Sequence, residues 1–106
     1  MSSEKRMVRH IVLVKFRDDA PEEMRRELIK LSQWGRHADY VSGYVCGHGV
    51  QPNPYAGNGD EWDWGMSLDM PEDAVERYRD DPTHAAIPAE VIACAEKFAI
   101  LDFVMQ

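Results

Sequence analysis

Val8-Arg9-His10-Ile11-Val12-Leu13-Val14-Lys15-Phe16 is rich in β-branched residues and alternates side chains between two faces, as a strand does. His10, Val12, Val14 and Phe16 share one face, and Ile11 and Leu13 lie on the other. Because both faces are largely apolar, this strand is expected at the centre of a sheet and covered on both sides.

The flanking sequence supplies the remaining elements. Pro21-Glu22-Glu23 reads as a helix start, since proline fits the first turn and acids favour the positive end of the helix dipole. Met24, Leu28, Leu31, Trp34 and Ala38 then recur at helical spacing, which predicts an amphipathic helix ending near His37. Gly43 to Val50 read as a second strand, with Tyr44, Cys46, His48 and Val50 on one face. Residues 51 to 61 hold two prolines and Asn58-Gly59, so they form a long connection and a candidate lid. Trp62 to Met70 alternate as a third strand with an aromatic face. Pro71-Glu72-Asp73 starts a second helix that Asp80-Asp81-Pro82 stops, and Thr83 to Ala95 allow a further helical segment with Ile87, Val91 and Cys94 or Ala95 inward. Phe98 to Met105 make an apolar final strand.

The order βαββαβ is that of the ferredoxin-like split βαβ arrangement, an α+β protomer with helices on one face of an antiparallel sheet. It is expected as a single domain over residues 1–106, with its core over about 7–104. The helices suffice for one side only, while strands one, three and four carry large apolar residues on both. A second copy packed sheet to sheet, giving a homodimeric α/β-barrel, is the expected solution.

Charge and composition narrow the function classes. The chain has 106 residues with 12 basic against 19 acidic side chains, a formal charge of -7. Such a field repels phosphate backbones and anionic lipid, so neither nucleic acid nor a membrane surface is the expected partner. No apolar stretch approaches the ~20 residues that span a bilayer, and no leader pattern opens the chain, so a cytoplasmic location is expected. Cys46 and Cys94 have 47 residues between them and no second pair, which reads as two free, buried thiols. No dinucleotide fingerprint, Walker loop or Gly-x-Ser-x-Gly elbow appears, and no cofactor is expected. No histidine pair has metal-ligand spacing, so no metal is expected either.

The opening strand, Trp62-Asp63-Trp64-Gly65, Tyr78 with Asp81-Pro82-Thr83-His84, and Phe98-Ala-Ile-Leu-Asp102-Phe103 together resemble the stress-responsive dimeric A/B-barrel family over roughly residues 7 to 104. The resemblance implies a dimer whose two sheets form a barrel, with a cavity in each protomer. The chain is also similar to a plant member of that family, the olivetolic acid cyclase, which closes a linear poly-β-keto thioester by aldol condensation without a cofactor. That similarity places its tyrosine and histidine pair on Tyr78 and His84 and its first-strand histidine on His10. A further histidine of the cyclase falls on Asp63, where this sequence departs from the pattern.

Read from the residues themselves, Tyr78 and His84 lie six apart across the break at Pro82, close enough for a folded-back turn to bring them to one cavity. A neutral imidazole with pKa near ~6.5 can take a proton from carbon flanked by two carbonyls, and a phenol can hydrogen-bond the enolate oxygen. Tyr78 and His84 are therefore the candidate catalytic pair, and His10, Asp63, Trp64 and His48 the candidate substrate-binding residues. The leading reading is a cofactor-independent cyclase or isomerase acting on a reactive keto or polyketide-like small molecule. Two alternatives stay open, a barrel monooxygenase of quinol-forming or haem-degrading type and a non-catalytic small-molecule-binding protein.

Overall fold

A computed structural model describes residues 6–52, 54–55, 62–85 and 87–106. Strand β1 (Met7–Phe16) pairs antiparallel with β3 (Trp64–Pro71) on one side and β4 (Ala95–Val104) on the other. Strand β2 (Ser42–His48) flanks β3, so the sheet order is β2-β3-β1-β4 and β1 is central, as its two apolar faces require. Helices α1 (Glu22–Ser32), α2 (Val75–Asp80), α3 (Pro82–Ala85) and α4 (Ile87–Cys94) complete the α+β, ferredoxin-like protomer.

The core lies between the helices and one sheet face. Val14 and Phe16 from β1, Trp64, Met66, Leu68 and Met70 from β3, Leu28 from α1 and Cys94 from α4 are all buried there. The alternation in β3 is complete, every second residue being buried. Neither cysteine is in a disulfide; Cys94 is buried, whereas Cys46 is only partly buried.

Element ends differ from the sequence expectation for identifiable reasons. The first helix becomes a 3-10 turn over Gln33–His37, where Gly35 packs so closely that an added Cβ would stand 3.2 Å from Leu68 and 3.4 Å from Tyr78. Strand β2 stops at His48, two residues before the expected end, and Gly49 makes one last backbone bond to Asp63. Strand β3 begins at Trp64 instead of Trp62, because the Asp63 backbone N–H donates to Val14 and its carboxylate accepts the Phe16 N–H at 2.8 Å. Strand β4 begins three residues early, at Ala95, since pairing with β1 continues through an irregularity at Lys15 and Phe16. The break at Pro82 is as expected: Asp81 is extended, and its carboxylate accepts the Thr83 N–H at 2.8 Å to start α3. Most of the expected lid, residues 53 and 56–61, lies outside the described residues.

The sheet face away from the helices carries Ile11, Leu13, Leu101 and Phe103, with the last two 56% and 39% exposed. An ion pair crosses it, Arg9 to Asp69 at 2.8 Å. Among the described residues no helix is long and apolar enough to cross a membrane.

Candidate active site

Between the helices and the sheet lies a cavity of about 90 Å³. Its sheet side is formed by His10, Val12 and Val14 of β1, Trp64 and Met66 of β3, and Phe98 and Ile100 of β4. Leu28 and Ser32 of α1, Tyr78 of α2, His84 of α3, and Ile87 and Val91 of α4 close the rest. Among the described residues the lining is apolar except at His10, Ser32, Tyr78 and His84.

Three of those polar residues form one aromatic cluster. The Tyr78 ring lies 5.1 Å from that of His10 in an edge arrangement and 4.5 Å from that of His84. Trp34 stacks on Tyr78 at 5.4 Å and sits 6.2 Å from His84. The turn at Asp81-Pro82 therefore does what the spacing of Tyr78 and His84 anticipates, folding α3 back over α2.

Hydrogen bonds fix which imidazole atoms remain for chemistry. His84 Nδ1 lies 3.1 Å from the Arg79 carbonyl oxygen. A carbonyl only accepts, so this nitrogen carries the proton and Nε2 keeps the lone pair. His10, only 6% exposed, has Nδ1 2.5 Å from Asp102 Oδ1. That carboxylate likewise commits Nδ1 as the donor and leaves Nε2 as the second ring atom. Two imidazoles thus flank one phenol, each anchored through Nδ1.

Burial sets the protonation states. It pushes the His84 imidazole below its ordinary value, and His10 nearby pushes the same way, against the opposing pull of the Arg79 carbonyl and Asp81. Burial raises the Tyr78 phenol well above its ordinary value, aided by Tyr44, Tyr40 and Asp102. At neutral pH the pair is a neutral base beside a protonated hydrogen-bond donor.

The structure gathers four of the six sequence candidates, Tyr78, His84, His10 and Trp64, around this cavity. His48 and Asp63 are not among its lining residues. His48 stands at the exposed outer end of β2, against a separate surface depression with Glu22 and Arg25. Asp63 holds the β1 and β3 chains together through the Phe16 N–H. Asp102 and Trp34 are additions that the sequence reading did not single out. Asp102 shares the inward parity of Phe98 and Ile100 on β4, and it is the charge in an otherwise apolar run. Among the described residues no three His, Cys, Asp or Glu side chains are grouped to hold a metal ion.

The family model described as the Stress responsive A/B Barrel Domain matches residues 8–105. No curated protein matches the chain. Among solved structures, a dimeric ferredoxin-like protein of unknown function from Thermobifida fusca is 21% identical, with a TM-score of 0.79 over 99% of this chain and 96% of its own. A hydroxynitrile lyase from Passiflora edulis is 14% identical, with a TM-score of 0.80 over 97% and 96%. A Dabb family protein of ferredoxin-like fold from Mesorhizobium loti is 20% identical, with a TM-score of 0.73 over 96% and 99%. At these identities the likeness is one of fold.

Proposed function

The chain belongs to the stress-responsive A/B barrel family, and from that premise we propose that it is a cofactor-independent enzyme of cyclase or isomerase type. Its substrate is a reactive keto compound and its chemistry is proton transfer by His84 and Tyr78. The observation that carries this reading is the Tyr78 ring held between two imidazoles at the polar end of an apolar cavity. A structure named hydroxynitrile lyase on the same fold is in keeping with small-molecule chemistry here, at the level of analogy.

In the proposed step His84 Nε2 removes the proton from carbon lying between two carbonyls. The C–H electron pair becomes the carbon–carbon double bond of the enolate, and the charge moves to oxygen, where the Tyr78 hydroxyl donates a hydrogen bond. The proton then returns to carbon in an isomerisation. In a ring closure the enolate carbon instead attacks a second carbonyl, and the imidazolium protonates the alkoxide. General acid-base assistance of this kind is worth ~10²–10⁴ in rate, which suffices for an acidified C–H and not for an inert one. His10 and Trp64 act in binding, His10 held by Asp102.

Dimerisation through the open sheet face is part of the proposal. Ile11, Leu13, Leu101 and Phe103 form an apolar surface there, and the Thermobifida fusca neighbour is a dimer. The haem-degrading alternative is poorly supported, because about 90 Å³ is well below the ~300–1,000 Å³ of sites for drug-sized ligands. Deuterium incorporation at the central carbon of pentane-2,4-dione tests the reading. Acceleration over buffer by the intact chain and its loss in His84→Ala are expected. Equal acceleration by His84→Ala would overturn the assignment of the base.

A further inference from the structure

We propose that the cavity selects a neutral carbonyl compound whose buried substituent is short, about three or four carbons, and that it does not enclose a long polyketide chain. The inference rests on the acid-base reading of the same cavity and narrows its substrate class.

Size is the first argument. At about 90 Å³ the cavity is smaller than the ~150 Å³ that holds the six carbons of benzene, and scaled by volume it takes roughly three or four carbons. The walls give little, since Leu28, Val14 and Trp64 are 1%, 1% and 3% exposed and pack into the core.

Charge is the second. Among the described residues no lysine, arginine, aspartate or glutamate lines the cavity, and the chain as a whole carries -7. A carboxylate or phosphate on the buried part of the ligand would lose its hydration with no cation to receive it. The polar groups present, two imidazoles, a phenol and the Ser32 hydroxyl, suit carbonyl oxygens and an exchangeable C–H.

The rim is the third. Phe98 and Ile100 line the cavity yet remain 47% and 58% exposed. Carbons beyond the enclosed three or four therefore rest on a half-wet surface, where each gains less.

The test is a series of β-diketones, CH3–CO–CH2–CO–R, with R from methyl to heptyl, titrated into the full chain by NMR. Full burial of a methylene is worth about a fourfold gain in affinity. Dissociation constants should fall about fourfold per carbon up to propyl or butyl and by less than twofold per carbon thereafter. Val91→Ala, which removes two methyl groups from the α4 wall outside the acid-base pair, should move the break outward by about one carbon. A constant fourfold gain through heptyl would overturn the proposal, as would tighter binding of 4-oxoheptanoate than of heptane-2,4-dione, or no binding of any diketone at millimolar concentration. The break is read in binding alone. Full exchange activity in His84→Ala would thus end the acid-base reading and leave the chain-length result intact, whereas a missing break would end only this inference.

Discussion

Gly35→Ala displaces the proposed hydrogen-bond donor without removing it. Gly35 has an ordinary backbone, so alanine is conformationally allowed and removes unfolded-state freedom worth ~0.5–1 kcal/mol. Against that gain, the new Cβ would sit 3.2 Å from Leu68 Cδ2, 3.4 Å from Tyr78 Cε1 and 3.5 Å from the Tyr78 hydroxyl. Leu68 is fully buried and Tyr78 is 3% exposed, clamped by Trp34, His10 and His84, so neither yields freely. Overpacking of this kind costs ~1–3 kcal/mol, which leaves a net loss of about 1 kcal/mol. At fixed protein concentration, that should lower Tm by roughly 5 °C for a domain of this size. A phenol moved by a few tenths of an ångström should slow diketone exchange roughly three- to tenfold, since a full ångström of misplacement costs about 10²-fold. Thermal unfolding by circular dichroism and the deuterium assay together decide it. A raised Tm with unchanged exchange would refute the reasoning, because it would mean that the Gly35 contact does not position Tyr78.

Three further outcomes follow from the same geometry. Tyr78→Phe should cut exchange by roughly 10²–10³, the usual cost of one oxyanion donor, while keeping far-ultraviolet dichroism; a loss under threefold would remove the phenol from the mechanism. Because burial lowers the His84 pKa, the acid limb of the rate profile should lie below pH ~6.5. Linkage has the same sign: the unfolded chain takes up the His84 proton first, so this residue's contribution to stability is present above pH ~6.5 and fades as pH falls through the lower folded value. A rate midpoint above 6.5 assigned to His84 by NMR would contradict both. Leu101→Asp, on the open sheet face where Leu101 is 56% exposed, should halve the mass measured by light scattering while leaving the protomer folded; an unchanged dimer mass would place the interface elsewhere.

How legible the site was depended on whether its signal lay along the chain or across the sheet. Period-two alternation placed β1 and β3, and the Asp81-Pro82 stop placed Tyr78 and His84 together, since both signals act within a few residues. The ends of β2 and β4 were less legible, because a strand stops where its neighbour's backbone stops offering partners. Asp63 shows this directly: the resemblance set it where the cyclase has a further histidine, yet it closes the β1 and β3 ends through the Phe16 N–H. His48 shares a face with Tyr44 and Cys46 as expected, but β2 is an edge strand, and His48 is not among the residues that line the cavity.

Asp102 is the instructive omission. Its distance of 92 residues from His10 hides the pairing from any local pattern, and the register of β1 on β4 reveals it, setting His10 directly opposite Asp102. With β1 read as the central strand and β4 as its antiparallel neighbour, inward parity already restricts the partners of His10 to Phe98, Ile100, Asp102 or Val104. Of these only an aspartate can accept a hydrogen bond through its side chain. A buried imidazole needs such a partner, since an unsatisfied polar group there costs ~1–3 kcal/mol. The charge in the final apolar strand is thus explained by what His10 requires, and the same carboxylate leaves only Nε2 of His10 free for the cavity.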